Sequence, residues 1–321
     1  MKKDIRKYIK PELTKLELSL KKSISSDVEL ATKVSSYIVK SGGKRIWPTI
    51  TILVAKALNY QGEELIKLAT AIELLHTATL IHDDVVDQSE IRRGKTSIQK
   101  RWDNAHGVLV GDFVYSKAFQ LMAALKDKRI IQSLADSTNK ISEGEVLQLN
   151  FQGSKTINEK DYFEIISRKT AELFKASAHT AALISECNQA LLKASCDFAY
   201  SLGVAFQLRD DLLDYSGNRK NTGKIIGKDF LEGKMTLPLI KALELLDAND
   251  LSTIKQAFKE SDSEKLEKVI SIINKSGAIS EVEKISHDYS KNCLNLLDQF
   301  PENLYRESLQ EVVISLRDRS N

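Results

Sequence analysis

The stretch IELLHTATLIHDDVVDQSEIRRGK, residues 72–95, decides the fold. It starts apolar and runs into HDDVVD, which sets Asp83, Asp84 and Asp87 close together. Neither Gly nor Pro interrupts residues 63–93, which predicts one long helix over Glu63–Arg93. On a helix, positions i and i+4 share a face and i+1 lies near i+4, so three carboxylates crowd one patch. Uncompensated, they repel and raise one another's pKa. A solvated acidic face is the bland alternative. The segment ahead of the triplet, Ala78-Thr-Leu-Ile81, is apolar, and an acidic triplet ending a buried helix asks for cations.

A second cluster lies far down the chain. Asp210, Asp211 and Asp214 repeat the D-D-x-x-D spacing at the end of the apolar segment Leu202–Leu208. Two such patches offer hard oxygen donors and no thiolate. Magnesium suits them, because it takes carboxylates, keeps several waters and bridges to phosphates. Cations flank both clusters: Lys44 and Arg45 after Gly42-Gly43, Arg92 and Arg93 past the first, and Lys169, Lys224, Lys228 and Lys234 around the second. Arginine forks and lysine point charges are what a diphosphate needs beside its metals. Taken singly each is an ordinary surface charge; their placement favours an anion-binding role for Lys44, Arg92, Arg93 and Lys169. Two decoys fall away. His82-Asp83 suggests a metal phosphohydrolase, but the only earlier histidine is His76, on the same helix. Gly94-Lys95-Thr96 resembles the tail of a phosphate loop, but its leading glycine would fall at Ser89 and no strand precedes it.

Composition agrees with a helical enzyme. Of 321 residues, 42% are hydrophobic, enough for a sizeable core. Only 4 prolines and 14 glycines argue against a β-sandwich or barrel. Lys+Arg 47 against Asp+Glu 44 leaves +3, which is not the charge of a nucleic-acid binder. The 3 cysteines (Cys187, Cys196, Cys293) are too scattered for a disulfide framework or a zinc site and suit a reduced, cytoplasmic setting. The opening MKKDIRKYIK has no apolar core of an export signal, and Leu65–Ile81 carries Lys67, Glu73 and His76, so it reads as a buried helix and not a membrane span. Leu266, Val269, Ile270 and Ile273 follow helical spacing up to Gly277, and Val282, Ile285 and Tyr289 continue it. A second uninterrupted run covers Thr156–Leu202. The expectation is one all-α domain over 1–321, a large bundle of ten or more helices. Loops fall near Ser41–Gly43, Gly94, Gln152–Ser154 and Ser216–Gly233, and clear period-2 strands are absent.

These stretches together resemble the trans-polyprenyl diphosphate synthases. The likeness rests on GGKRIWP (42–48), residues 72–95, VLVGDFVYSKAFQ (108–120), EGEVLQL (143–149), RKTAELF (168–174), FQLRDDLLDY (206–215), GKIIGKDFLEGKMTLPL (223–239) and the terminal RDR (317–319). It implies the isoprenoid synthase fold, with a central cavity among long helices that opens between the aspartate clusters. It implies three magnesium ions on the allylic diphosphate, held by Asp83, Asp87 and Asp210 with Asp84, Asp211 and Asp214 in support. Arg92, Lys169, Thr170, Gln207, Lys224 and Lys234 match residues that hold the allylic diphosphate. Lys44, His76 and Arg93 match those that hold isopentenyl diphosphate. The family is usually dimeric, so a homodimer is implied. The stretch after Asp214 is the implied lid over a reaction that must exclude water.

One position departs from the pattern. The motif G-G-K-x-x-R would put arginine at 47, where this chain has Trp47; Arg45 is the candidate to replace it. Trp47 is also the sole support for a catalytically weak subunit of a heteromeric synthase, which the complete aspartate clusters oppose. A terpene cyclase would replace the second D-D-x-x-D by an Asn/Ser/Glu triad. The four and five positions before Asp83 are Thr79 and Ala78, both small, with Leu75 behind them. Short-chain relatives place an aromatic there, so a product of about C40 is implied, for a quinone side chain.

Overall fold

The computed structural model describes residues 5–153, 157–216, 226–261 and 263–319. Helices dominate, as expected: α1 Lys10–Ser23, α2 Glu29–Val39, α3 Ile46–Ala57, α4 Glu64–Val86, α5 Ile98–Arg101, α6 Asn104–Ala123, α7 Lys128–Phe151, α8 Glu159–Ile166, α9 Glu172–Ile184, α10 Gln189–Ser216, α11 Lys228–Leu231, α12 Leu237–Leu245, α13 Ala248–Glu260, α14 Leu266–Lys275, α15 Ala278–Leu297 and α16 Leu304–Arg317. They form two compact units. One comprises Met1–Thr138, Ala176–Cys196 and Gln299–Leu309; the other comprises Asn139–Lys175, Asp197–Asp298 and Gln310–Asn321.

In the first unit α4 is the core. Every side chain from Leu68 to Ala78 is buried. Among the described residues it is the helix long and apolar enough to cross a membrane, yet 72% of its apolar window is buried inside the fold. It is a core helix. It stops earlier than the absence of Gly and Pro predicts. Gln88 turns left-handed (φ 50), its N–H bonds to Val85 O, and Ser89 N–H reaches back to Asp84 O at 3.0 Å. That is the Schellman pattern, with a glutamine in the usual glycine place. The chain then makes a minimal antiparallel pair, β1 Ile91–Arg92 and β2 Lys95–Thr96, in the register Ile91↔Thr96 and Arg92↔Lys95. Arg93 (φ 53) and Gly94 (φ 73) are its two-residue loop, and positive φ at both positions is what a hairpin turn of this length demands. So Arg92 and Arg93 are held by a turn and not by the helix.

Helix α6 lies close against α4 because two glycines open a notch. A Cβ on Gly107 would sit 2.4 Å from Val85 Cγ2, and one on Gly111 would sit 2.1 Å from His82 Nε2. Asp103 starts α6 by accepting the His106 N–H at 2.8 Å.

The second unprolined run, Thr156–Leu202, also breaks. Asn158 and Asp161 form a capping box that starts α8. Ser167–Ala171 is a π-turn. Glu186 turns left-handed (φ 49), and the Asn188 side chain accepts the Leu191 N–H at 2.9 Å to begin α10. In the second unit, Tyr162, Ile166, Leu208, Leu212, Leu237 and Val282 pack into one core. Leu266, Val269 and Ile273 join Phe230 and Phe258 in another, as their helical spacing predicts, and Gly277 (φ 90) follows α14. α10 runs against the π-turn so closely that a Cβ on Gly203 would lie 2.6 Å from Ala171 Cα.

The two close approaches differ in what stands in the way. At Gly111 the obstacle is an imidazole 32% exposed, which can swing toward solvent. At Gly203 it is backbone. Gly203→Ala should therefore destabilise by about 1–3 kcal/mol and Gly111→Ala by less, as overpacking is relieved only where a neighbour can yield. Equal thermal midpoints for the two variants would contradict this.

Candidate active site

The three carboxylates of the first cluster have different surroundings. Asp84 is 2% exposed and accepts from Arg92 Nε at 2.7 Å, with a second guanidinium nitrogen on the same oxygen. Asp83 and Asp87, one helical turn apart, stay partly exposed. The hairpin is tied to the end of α4 by Gln99, whose Nε2 donates to Asp84 O at 2.7 Å. Burial of a carboxylate is tolerated when a cation and hydrogen bonds offset the lost hydration.

Arg45, the expected replacement for an arginine at 47, points elsewhere. Its Nε donates to Glu17 at 2.7 Å, Nη1 to Glu73 at 2.6 Å and Nη2 to Val39 O at 3.1 Å. The side chain is 7% exposed, so its fork is consumed inside the protein and the expectation of substrate contact is not met. Burial pushes the Glu73 carboxyl up, against the pull of Arg45. Trp47 instead covers His76, with ring centroids 3.7 Å apart and planes at 35°. Arg93 Nη1 donates to Gly42 O, and a Cβ on Gly43 would lie 2.7 Å from the Arg93 guanidinium carbon. The glycine pair is thus a berth for Arg93. Lys44 is exposed at its edge. Burial, then Arg93, Arg92 and Arg45, hold the His76 imidazole well below its ordinary pKa, so it is neutral at pH 7.

In the second unit a cavity of about 150 Å³ is lined by Lys169, Thr170, Gln207, Asp211, Asp229 and Lys234, among others. The π-turn presents Lys169 and Thr170. Gly144 lets α7 pass it, since a Cβ there would meet Lys169 N at 2.9 Å. Lys169 Nζ donates to Glu145 at 2.7 Å. Asp211 is 2% exposed and accepts from the Tyr162 hydroxyl at 2.6 Å and from Gln207 Nε2 at 2.8 Å. Asp214 accepts the backbone N–H of Lys228 at 3.2 Å and of Asp229 at 3.0 Å, and so pins the start of α11. Burial first, and Asp229 next, push Asp214 up to about 7. Asp210 is 36% exposed and pairs with Arg319 at 2.7 Å. Lys234 Nζ donates to Glu232 at 2.9 Å. Lys224 lies outside the described residues. Behind Asp83 on α4, Thr79 is half-buried, while Ala78 and Leu75 are buried.

Sequence reasoning missed Tyr162, Glu17, Glu73 and Asp229. Asp229 and Arg319 sat inside quoted motifs without a role. Tyr162 carried no signal, since nothing in D-Y-F announces a partner 49 residues away.

A family model described as polyprenyl synthetase matches residues 28–275. Octaprenyl diphosphate synthase of Haemophilus influenzae is 37% identical over 318 residues, covering 99% of this chain and 97% of the relative. All-trans-nonaprenyl-diphosphate synthase (geranyl-diphosphate specific) of Rhodobacter capsulatus is 37% identical over 322 residues, covering 99% and 98%. Among solved structures, a decaprenyl diphosphate synthase from Rhodobacter capsulatus superposes with a TM-score of 0.94 at 31% identity, covering 100% of both chains. A polyprenyl synthase from Caulobacter crescentus, complexed with calcium and isoprenyl diphosphate, gives 0.94 at 34%, covering 99% of this chain and 97% of the other. The chain belongs to the polyprenyl synthetase family of trans-prenyl diphosphate synthases. It is a prenyltransferase with the isoprenoid synthase fold.

The neutral state of His76 has a sign that can be checked. Its folded pKa lies below its unfolded value near 6.5, so its contribution to stability is fully present above about pH 6.5 and is lost as pH falls below it. The thermal midpoint of the wild type should drop faster between pH 7 and pH 5 than that of His76→Gln. Parallel curves would mean that His76 is charged or solvated in the fold.

Proposed function

We propose that this prenyltransferase condenses isopentenyl diphosphate with an allylic diphosphate, farnesyl diphosphate being the primer. The product is an all-trans polyprenyl diphosphate of about C40 that supplies a quinone side chain. The observation that carries this reading is the sorting of carboxylates within each cluster. Asp84 and Asp211 are buried and held by protein donors, whereas Asp83, Asp87 and Asp210 stay partly exposed, Asp210 with one oxygen on Arg319. These three would hold magnesium, three ions in all. The donor set fits: it is carboxylate oxygen without thiolate. Among the described residues no three acidic or imidazole groups converge as a ready-made metal site. Magnesium shares its ligands between one or two carboxylates, water and substrate phosphate. The Caulobacter crescentus relative with calcium and isoprenyl diphosphate supports the same reading.

Bound magnesium would supply positive charge on the leaving diphosphate. The chain's own cations share that task. Arg92, Lys169 and Lys234, with Gln207 as a neutral donor, grip the allylic diphosphate, and Lys224 belongs with them by motif. Lys44 and Arg93 grip the acceptor diphosphate, beside a neutral His76 that can donate without adding charge. As the allylic C–O bond breaks, an allylic carbocation forms and the isopentenyl double bond attacks it. The new cation then loses a proton to the departed diphosphate. No protein base is required, and the buried surroundings keep water from the cation.

Chain length follows from α4. Thr79, Asp83 and Asp87 are each four residues apart and so share one stripe. Thr79, one turn or about 6 Å behind Asp83, is small and partly exposed, which leaves room for a growing tail. Ala78, equally small, and Leu75 behind it keep the neighbouring wall apolar. The homodimer reading is supported by α6, where Val108, Leu109 and Phe119 are 44%, 67% and 40% exposed along one side.

Incubation with labelled isopentenyl diphosphate, farnesyl diphosphate and magnesium, followed by product sizing, tests the reading; products no longer than C20 would overturn it. Asp83→Ala and Asp210→Ala should each cut turnover on the order of a thousand-fold, about 4 kcal/mol of barrier. Near-normal turnover in either variant would exclude it from the metal site. Thr79→Tyr should shorten the product to about C20, one condensation beyond the C15 primer; an unchanged product would show that the tail runs elsewhere.

A further inference from the structure

The cavity holds a chain of hydrogen bonds that begins at a residue without an assigned role. Tyr162 is 3% exposed and its hydroxyl donates to Asp211 Oδ2 at 2.6 Å. The other oxygen of Asp211 accepts from Gln207 Nε2 at 2.8 Å. The Gln207 carbonyl in turn accepts the Thr170 hydroxyl at 2.8 Å. All four residues line the cavity.

The direction of each bond fixes the next. A phenol can only donate to a carboxylate, so Tyr162 anchors Asp211 at one oxygen and leaves the other for an amide. A buried carboxylate oxygen that faces Gln207 selects its NH2 end, because a carbonyl there would repel it. The carbonyl end of Gln207 then faces Thr170, which spends its proton on it. Among the described residues, one N–H of Gln207 has no hydrogen-bond partner. Thr170 has no proton left for an anion, so its part is to hold Gln207.

We infer that Tyr162 is a positioning residue, which through Asp211 orients the Gln207 amide so that its remaining N–H is offered to the allylic diphosphate in the cavity. The inference rests on the proposed reading of that cavity as the allylic diphosphate site. Without the phenol hydroxyl, a buried Asp211 oxygen loses its donor and recruits one from nearby. The Gln207 amide already lies against the other Asp211 oxygen, and once it turns, the diphosphate loses a donor or meets a carbonyl. A contact of that kind is worth about ten-fold in affinity.

The test is calorimetric titration of the full-length protein with farnesyl S-thiolodiphosphate, an unreactive analogue, in the presence of magnesium. Tyr162→Phe should weaken binding about ten-fold and leave the dissociation constant for isopentenyl diphosphate within two-fold. Gln207→Ala should weaken the analogue similarly. Tyr162→Phe/Gln207→Ala should be no weaker than Gln207→Ala alone, since both changes remove the same contact. A merely structural tyrosine would give additive losses, or would weaken both ligands alike; either result overturns the role, as does unchanged binding by Tyr162→Phe. Should Tyr162→Phe fail to fold, Thr170→Val releases the amide from its other end and should give the same ten-fold loss, again absorbed in the Gln207→Ala background. Unchanged analogue binding by Thr170→Val would then overturn the role. Failure of the wild type itself to bind the analogue would instead sink the assignment of the cavity, and the role of Tyr162 with it.

Discussion

Like charges on one helical patch repel, and this single constraint organises the molecule. A D-D-x-x-D helix end sets three carboxylates within five residues of one helix. It survives folding because the protein takes up part of that charge itself. The means differ. Asp84 is paired with a guanidinium carried on a hairpin, Asp211 accepts from a phenol and an amide, and Asp214 accepts from two backbone N–H groups. Each solution recruits a neighbouring segment: β1 for Asp84, α8 for Asp211 and the start of α11 for Asp214. The clusters are therefore structural organisers as well as chemical groups. The carboxylates left partly exposed are those best able to exchange a protein contact for a cation.

The same economy governs the charges along α4. Glu73 and His76 lie among apolar residues in its fully buried stretch. Glu73 is tolerated because Arg45 closes on it from one side and Glu17 holds Arg45 from the other. His76 is tolerated because it gives up its charge, with Trp47 over its face. A cation at position 47 would stand beside Arg45, Arg92 and Arg93 with little carboxylate left to offset it. Trp47 lowers the positive charge of this corner while keeping it filled.

What could be read from the sequence was whatever depends on helical period. The apolar face of α14 follows from a repeat of 3.6 residues and the burial of α4 from its unbroken apolar run, and the structure bears both out. What could not be read depends on partners remote in sequence. Arg45 looked like a substrate ligand because it follows a glycine pair; its inward turn is decided by Glu17 and Glu73, each 28 residues away. The run to Arg93 looked helical because it lacks Gly and Pro. Helices also stop at a non-glycine residue in the left-handed region, as Gln88 and Glu186 do, and no composition rule forbids it. Gly94 was legible as a loop, but Arg93-Gly94 is not one of the favoured hairpin pairs, so the strands on either side of it were not.

Three of the left-handed non-glycine residues lie close to the first carboxylate cluster and its guanidiniums. Arg45 (φ 48), Gln88 (φ 50) and Arg93 (φ 53) all lie in the loops around Gly42-Gly43 and the α4 hairpin. Each such conformation costs on the order of 1–3 kcal/mol and persists only where neighbours enforce it. Here the enforcing contacts are visible: two carboxylates on Arg45, the Schellman bonds at Gln88 and the Gly42 carbonyl on Arg93. A relaxed loop would let these side chains spread into solvent, as their mutual repulsion favours. Held as they are, the guanidiniums stay converged before any anion arrives. The work of gathering like charges is done during folding, so under the proposed function a diphosphate that enters would meet cations already in place.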